Sequence, residues 1–293
     1  NIVNRLKNNI EVIIIDNFSN AINQIKNDVD IIECNITDTN SLNKIELSNV
    51  DAVLHLAAQS SGPKSIDIPE KDININIIGT LNIINWCIKN KVPKILFASS
   101  FVVFGDQAKE CLDETDYCFP KSIYALSKLY CERLLDIYAC HYGINWNVLR
   151  QFNVYGPGQD LSRMDQGMVS IFMKLVMDQD YIEVKGSLAR FRDFIHIEDV
   201  ITGWELCLFD QKYNNQIYNL GSGTKTNIAD LIYALAEIFN KREKITIKQT
   251  ENTPGDMLGC YANISKISEQ LKFQPKFKLL SGLQNMADWA ISN

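Results

Sequence analysis

Short apolar runs recur along the first half of the chain, and segments with helical spacing separate them. The runs are Glu11-Val12-Ile13-Ile14-Ile15, Val29-Asp30-Ile31-Ile32-Glu33, Asp51 to Ala58, Lys94-Ile95-Leu96-Phe97 and Ile144 to Leu149. Their apolar residues are nearly continuous rather than alternating, which predicts strands covered on both faces. Helical spacing appears over Asp72–Lys89 and from Tyr124 to about Tyr142. Strands alternating with helices predict an α/β protein with a doubly wound parallel sheet. With 293 residues the chain is long enough for two lobes. The regular alternation lapses after about Gln151. We therefore place a sheet domain at 1–150 and a smaller substrate-binding lobe at 151–293, with residues around 215–222 returning to the sheet.

The net charge of -6 argues against non-specific nucleic-acid binding, which needs a basic face. No apolar run approaches the ~18 residues that span a bilayer, and no signal peptide opens the sequence. The eight cysteines show no C-x-x-C spacing. Cys87, Cys131, Cys140 and Cys207 fall in apolar periodic segments and read as small core residues. The expectation is a reduced, cytoplasmic protein with no disulfide framework. The three scattered histidines predict no metal site.

The chemistry concentrates between Phe97 and Lys128. Phe97-Ala98-Ser99-Ser100 closes a predicted strand, and Tyr124-Ala125-Leu126-Ser127-Lys128 opens a helix. Residues four apart share a helix face, so Tyr124 and Lys128 point the same way. A phenol is a poor base at its ordinary pKa of about 10. A neighbouring ammonium stabilises the phenolate and is expected to lower that value. A strand-end hydroxyl, Ser100, is placed to hold the oxygen whose proton moves. The set suits proton transfer to and from an alcohol or ketone. A Tyr–Lys pair alone is an ordinary surface contact; its order and context give it weight.

That context is Ser99-Ser100-Phe101-Val102-Val103-Phe104-Gly105 before the pair and Arg150-Gln151-Phe152-Asn153-Val154-Tyr155-Gly156-Pro157-Gly158 after it. Further along stands Phe191-Arg192-Asp193-Phe194-Ile195-His196-Ile197-Glu198-Asp199-Val200. Together these resemble the extended short-chain dehydrogenase/reductase family, and within it the NAD-dependent nucleotide-sugar epimerases such as UDP-galactose 4-epimerase. The resemblance runs from Asn1 to about Trp289. It implies a Rossmann-like fold, NAD as cofactor, a nucleotide-sugar substrate and a homodimer. It implies Ser100, Tyr124 and Lys128 as catalytic residues. For the cofactor it implies Asp16 and Asn17 at the adenosine ribose, Asn35 and Ile36 at the adenine, Leu56, Ala57 and Ala58 along the strand end, and Asn76 beside the nicotinamide. Tyr124 and Lys128 also belong to the cofactor site, Lys128 through the nicotinamide ribose. For the substrate it implies Ser100, Asn153, Arg192 on the pyrophosphate, and Asp256. His55 reads as a packed strand residue.

Some features depart from the family. Its first strand and glycine-rich turn do not precede Asn1, and the expectation is that they lie upstream in the gene. Thr253 stands where the family usually has an Arg, and Gln151 replaces a common aromatic residue. Phe101 and Val102 occupy the positions where related dehydratases carry Asp-Glu, and neither can do acid–base chemistry. The same valine argues against the related decarboxylases. The acidic loop from Gly105 to Lys121 is expected to be a solvated lid. The leading function is epimerisation through transient hydride transfer and a keto-sugar. The alternatives are a nucleotide-sugar reductase or dehydrogenase, and a non-catalytic relative.

Overall fold

The structure is a computed structural model, and it describes residues 1–19, 29–165, 167–251 and 258–292. Asp256 and Thr253 lie outside the described residues. In chain order the first elements are α1 (Ile2–Leu6), β1 (Ile13–Asp16), β2 (Asp30–Glu33), α2 (Thr39–Asn43) and β3 (Val53–His55). Next come α3 (Gly62–Asp67), α4 (Pro69–Asp72), a π-helical turn over Ile73–Ile78, α5 (Gly79–Lys89), β4 (Lys94–Ser100) and β5 (Cys111–Leu112). Then follow α6 (Ile123–Tyr142), β6 (Asn145–Gln151), β7 (Asn153–Tyr155), α7 (Met168–Asp178), β8 (Tyr181–Lys185), β9 (Phe191–Arg192) and β10 (Phe194–His196). The last are α8 (Ile197–Phe209), β11 (Gln216–Leu220), β12 (Thr226–Asn227), α9 (Ile228–Ile238), β13 (Thr246–Thr250), β14 (Tyr261–Ala262), α10 (Ser265–Leu271) and α11 (Leu279–Ser292).

The chain forms two compact units whose segments interleave. The first comprises Asn1–Val103, Ser122–Leu149 and Trp204–Ile217; the second comprises Phe104–Lys121, Arg150–Gly203 and Tyr218–Asn293. A simple division at residue 150 misses two exchanges: the loop from Phe104 belongs with the second unit, and Trp204–Ile217 with the first.

A four-stranded sheet runs in the order β11-β6-β4-β3, with β3 parallel to β4. The parallel pair β1–β2 forms a separate sheet, in which Asp16 stands opposite Glu33. Among the described residues β3 has a hydrogen-bonded neighbour on one side only. That explains a difference from the expected buried strand: of Val53, Leu54 and His55 only His55 is buried. The core behind β4 is built from Ile84, Cys87, Ile95, Phe97, Leu135 and Val148 with their neighbours. Cys87, Cys131 and Cys207 are buried as expected, whereas Cys140 is exposed near the end of α6, on the water side of that helix. All eight cysteines are free.

The predicted helix over 72–89 is interrupted. Its first part is the π-turn over Ile73–Ile78, and regular α-helix resumes at Gly79. Such bulges often occur at functional sites because they re-aim side chains.

In the second unit α7, α9 and α11 share a core with β8, formed by Phe172, Met173, Val184, Leu231, Leu235 and Met286 with their neighbours. The loop expected to be a solvated lid is anchored here. Cys111–Leu112 pairs with Tyr261–Ala262, and Leu112 is fully buried. Glu114 accepts a bond from the Asn219 backbone at 2.7 Å, while Lys109 pairs with Asp113 and Asp116. Asp106 and Glu110 are exposed as expected, while Asp113, Glu114 and Asp116 are partly buried and engaged with backbone and with Lys109. Among the described residues no helix is long and apolar enough to cross a membrane.

Candidate active site

Tyr124 stands in the first turn of α6. Ser122 caps that helix by accepting a bond from the Ala125 N–H at 3.1 Å. Gly143 ends it in the left-handed conformation (φ 70°). The Tyr124 backbone is held at both ends by hydroxyls. Its N–H donates to Ser65 Oγ at 3.0 Å, and its carbonyl accepts from Ser127 Oγ at 2.9 Å.

The Ser100 hydroxyl stands beside the Tyr124 phenol and favours its anion. Ser100 ends β4, so the predicted meeting of strand end and helix start occurs in the first unit. Lys128 is buried, and its Nζ donates to the Ala98 carbonyl at 2.8 Å. The same nitrogen lies 4.7 Å from the Phe97 ring centre and 5.9 Å from that of Tyr124.

The ionisation of Tyr124 differs from the sequence expectation. Burial of its phenol prevails and pushes it up to about 12, against the Ser100 hydroxyl, which favours the anion; the charge of Asp72 raises it further. Removal from water opposes any charged form, so the ligand-free phenol keeps its proton. The same physics acts in reverse on Lys128, which burial pushes down to about 8 while Cys131, Asp72 and Glu132 oppose the fall.

Three groups in this region escaped the sequence reading. Asp72 is fully buried, and its Oδ2 accepts from Gln59 Nε2 at 2.8 Å and Asn76 Nδ2 at 3.1 Å. Glu132, one turn beyond Lys128, is buried and accepts from Ser99 Oγ at 2.5 Å. Gln59 ties its amide to Ser61 through both ends. The i, i+4, i+8 spacing of Tyr124, Lys128 and Glu132 was the available signal for Glu132. For Asp72 the i, i+4 spacing to Asn76 was the only local signal, because its other partner, Gln59, stands 13 residues earlier.

Asn76 is buried in the π-turn, and its amide is engaged within the protein. It accepts from the Gln59 N–H at 2.9 Å and donates to the Gln59 carbonyl, Asp72 and Ser127 Oγ. His55 bonds Thr80 Oγ1 at 2.9 Å. Burial and the charge of Lys128 hold it down to about 3, so it is neutral and packed.

The residues assigned to the adenosine end lie at the carboxyl ends of the parallel strands. Asp16 is exposed, with Oδ1 accepting from the Phe18 N–H at 2.7 Å. Asn17 caps its own turn through Ser19. Asn35 is exposed, and its Oδ1 accepts from the Thr37 N–H at 3.1 Å, leaving one lone pair. Ile36 instead faces inward, 7% exposed, in the core beside Gly79. Leu56 is 46% exposed and Ala57 is open, while Ala58 is half-buried. An open leucine at a strand end, flanked by small residues and by an acidic residue on a neighbouring sheet, fits a dinucleotide in which ribose hydroxyls meet a carboxylate.

In the second unit, Asn153 and Arg192 both flank Asp193. Asn153 donates to the Asp193 carbonyl through N–H and Nδ2, both at 3.0 Å. The buried Asp193 carboxylate accepts from Ser222 N–H and Oγ, the Gly223 N–H and the Ala262 N–H. This fixes the strand that carries Arg192. Arg192 is 5% exposed, donates to the Phe191 carbonyl at 2.7 Å, and is pushed down to about 10 by burial.

A Rossmann-like parallel sheet with a strand-end serine beside a helical Tyr-x-x-x-Lys defines a nucleotide-dependent enzyme of the short-chain dehydrogenase/reductase type. The sequence pattern of the NAD dependent epimerase/dehydratase family matches residues 1–221. The chain belongs to that family, and its cofactor is NAD. It is 32% identical to a putative UDP-glucose 4-epimerase of Methanocaldococcus jannaschii, over 98% of this chain and 93% of the relative. Among solved structures it is similar to the UDP-glucose 4-epimerase of Thermotoga maritima with UDP-glucose (TM-score 0.91, 30% identity, 99% of this chain and 94% of that one). It is also similar to the Thermus thermophilus UDP-glucose 4-epimerase complexed with NAD (TM-score 0.87, 28% identity, 98% and 94%).

Proposed function

We propose that this protein is an NAD-dependent nucleotide-sugar epimerase of the UDP-hexose 4-epimerase type. The observation that carries the reading is the convergence at the end of β4, where the Ser100 hydroxyl stands beside the Tyr124 phenol and Lys128, one turn along α6, is buried with its Nζ on the Ala98 carbonyl. Tyr124 is the proton acceptor and donor for the sugar hydroxyl: as its phenolate, which the positive charge of a bound nicotinamide beside Lys128 would favour, it takes that proton and later returns it. Ser100 orients that hydroxyl, and Lys128 supplies positive charge beneath the pair. When bound, the cofactor would supply reversible hydride transfer at the sugar carbon. Asp16, Asn17, Asn35, Leu56, Ala57 and Ala58 hold it at its adenosine end and along the strand ends, and Asn76 stands behind its nicotinamide end. Tyr124 and Ser100 are half-buried, so that a bound sugar would complete the cover over the reacting atoms, as suits a reaction whose intermediate must not escape.

Arg192 and Asn153 serve the substrate, with Arg192 on the pyrophosphate, where a planar guanidinium is well matched. The protein acts in the cytoplasm as a homodimer. Leu126, Tyr130 and Ile137 support the dimer: each is at least half-exposed, and they fall within about 40° of one another around α6. Such an apolar stripe suits self-association.

The test is to denature the purified full-length protein, identify the released nucleotide, and assay UDP-glucose/UDP-galactose interconversion without added cofactor. Released NAD with interconversion supports the reading. A requirement for stoichiometric NADH, with net reduction of the sugar, would replace it with a reductase.

A further inference from the structure

The π-turn begins at a carboxylate that the proposed reaction does not use. Asp72 closes α4 with no exposed surface. Its Oδ2 gathers the Gln59 and Asn76 amides, while its Oδ1 is buried with no hydrogen-bond partner among the described residues. Leaving a carboxylate oxygen dry and unpartnered is costly. A structural tie needs only a neutral amide at this point, so the charge itself calls for a reason.

The network supplies one. From Asp72 the bonds run to Asn76, from Asn76 to Ser127 Oγ at 3.2 Å, and from Ser127 to the Tyr124 carbonyl. A second branch leaves the Asn76 carbonyl, which accepts from the Cys131 thiol at 3.2 Å, one turn past Ser127. Both branches thus end on the stretch of α6 that carries Tyr124 and Lys128. Lys128 also feels Glu132 from its own helix, and His55 on β3 is neutral. Tyr124, Cys131 and Glu132 on α6, with His55 and Asp72, are the titratable groups around it.

We propose that Asp72 is a positioning residue of the Tyr124–Lys128 centre: its carboxylate fixes Asn76 beneath α6 and supplies the negative charge that keeps Lys128 an ammonium in a dry site. This rests on the reading of Tyr124 and Lys128 as the reacting pair. A buried lysine loses its proton unless a carboxylate stands near. Glu132 provides one such charge on the far turn, and Asp72 provides the other from a different element. The π-turn is what aims the Asn76 amide at Asp72 and Ser127 together.

The test reads Lys128 itself. Full-length protein carrying 13C-labelled lysine is titrated by NMR, and the Lys128 signal is assigned by its loss in Lys128→Met. The wild-type signal should titrate near 8, the value burial and its neighbours set. Asp72→Asn keeps the shape and can turn its amide oxygen toward Gln59 and Asn76. It should move that titration to lower pH by on the order of one unit. Asp72→Ser, a smaller neutral replacement that removes the same charge, should move it the same way and serves if Asp72→Asn does not fold. The falling alkaline limb of the rate–pH profile should move down with Lys128 in whichever variant folds. A Lys128 titration unchanged in the folded neutral variant would overturn the proposal. Because the titration needs no turnover, a failed epimerase assay with a shifted Lys128 would count against the function and not against this role.

Discussion

Gly79 occupies the α-helical region (φ -58°, ψ -44°), so its backbone does not require glycine. On propensity alone Gly79→Ala should stabilise the helix by about 1 kcal/mol. The packing predicts the opposite. A methyl there would lie 2.6 Å from Ile36 Cδ1 and 2.8 Å from Ile36 Cγ1, and Ile36 is buried among core side chains. Ile36 cannot swing away freely, because neighbouring core side chains occupy the space around it, while the Asn82 Nδ2 bond to its carbonyl at 2.9 Å holds its backbone in place. Overpacking of this kind costs about 1–3 kcal/mol. Against the propensity gain, the net expectation is a loss of roughly 0–2 kcal/mol. Ile36→Val removes the atom the methyl meets first, at a separate cost of about 0.5–1.5 kcal/mol. The double variant should therefore be more stable than the sum of the singles, with a coupling of at least ~0.5 kcal/mol. Urea unfolding of the four proteins decides it. A Gly79→Ala protein more stable than wild type, with additive behaviour in the double variant, would refute the reasoning.

His55 should make stability fall in acid. Its folded pKa of about 3 lies below the ordinary 6.5, so the unfolded chain binds the extra proton between those values and the fold loses stability as pH drops through them. At pH 5 the loss is about 2 kcal/mol, from 1.36 kcal/mol per unit. His55→Gln, which can still bond Thr80, should lack that component when urea unfolding at pH 5 and pH 8 is compared; an equal acid loss in both proteins would contradict it. Arg192→Ala should weaken nucleotide-sugar binding by roughly 1.5–3 kcal/mol, seen as a raised KM with kcat retained. A lowered kcat at constant KM would remove Arg192 from the substrate site.

Much of the first unit was legible in the sequence, because strand and helix periods are local signals. Helix α6 begins one residue before Tyr124 and ends at Tyr142, as its spacing and Gly143 imply. Ser100 meets Tyr124 because a strand end and a helix start lie on one edge of a parallel sheet. What was not legible depends on burial. The raised Tyr124 phenol reflects lost water, which a one-dimensional motif cannot register. The charges of Asp72 and Glu132 act on Lys128 from positions that no single helical period marks as a group. Ile36 turns inward because Gly79 leaves room for it. The acidic loop between Gly105 and Lys121 looked solvated by composition, yet Glu114 serves the Asn219 backbone. Cys140 sits on the outer face of α6, where apolar periodicity places it only approximately.

The central claim is that Tyr124 moves the proton of the sugar hydroxyl. Tyr124→Phe removes only the oxygen beside Ser100, leaving the backbone bonds to Ser65 and Ser127 in place. The decisive measurement is the rate at which full-length Tyr124→Phe interconverts UDP-glucose and UDP-galactose without added cofactor, on protein shown by its urea midpoint to be folded. The expected result is a loss of about 10²–10⁴-fold. A folded variant that epimerises at the wild-type rate would contradict it.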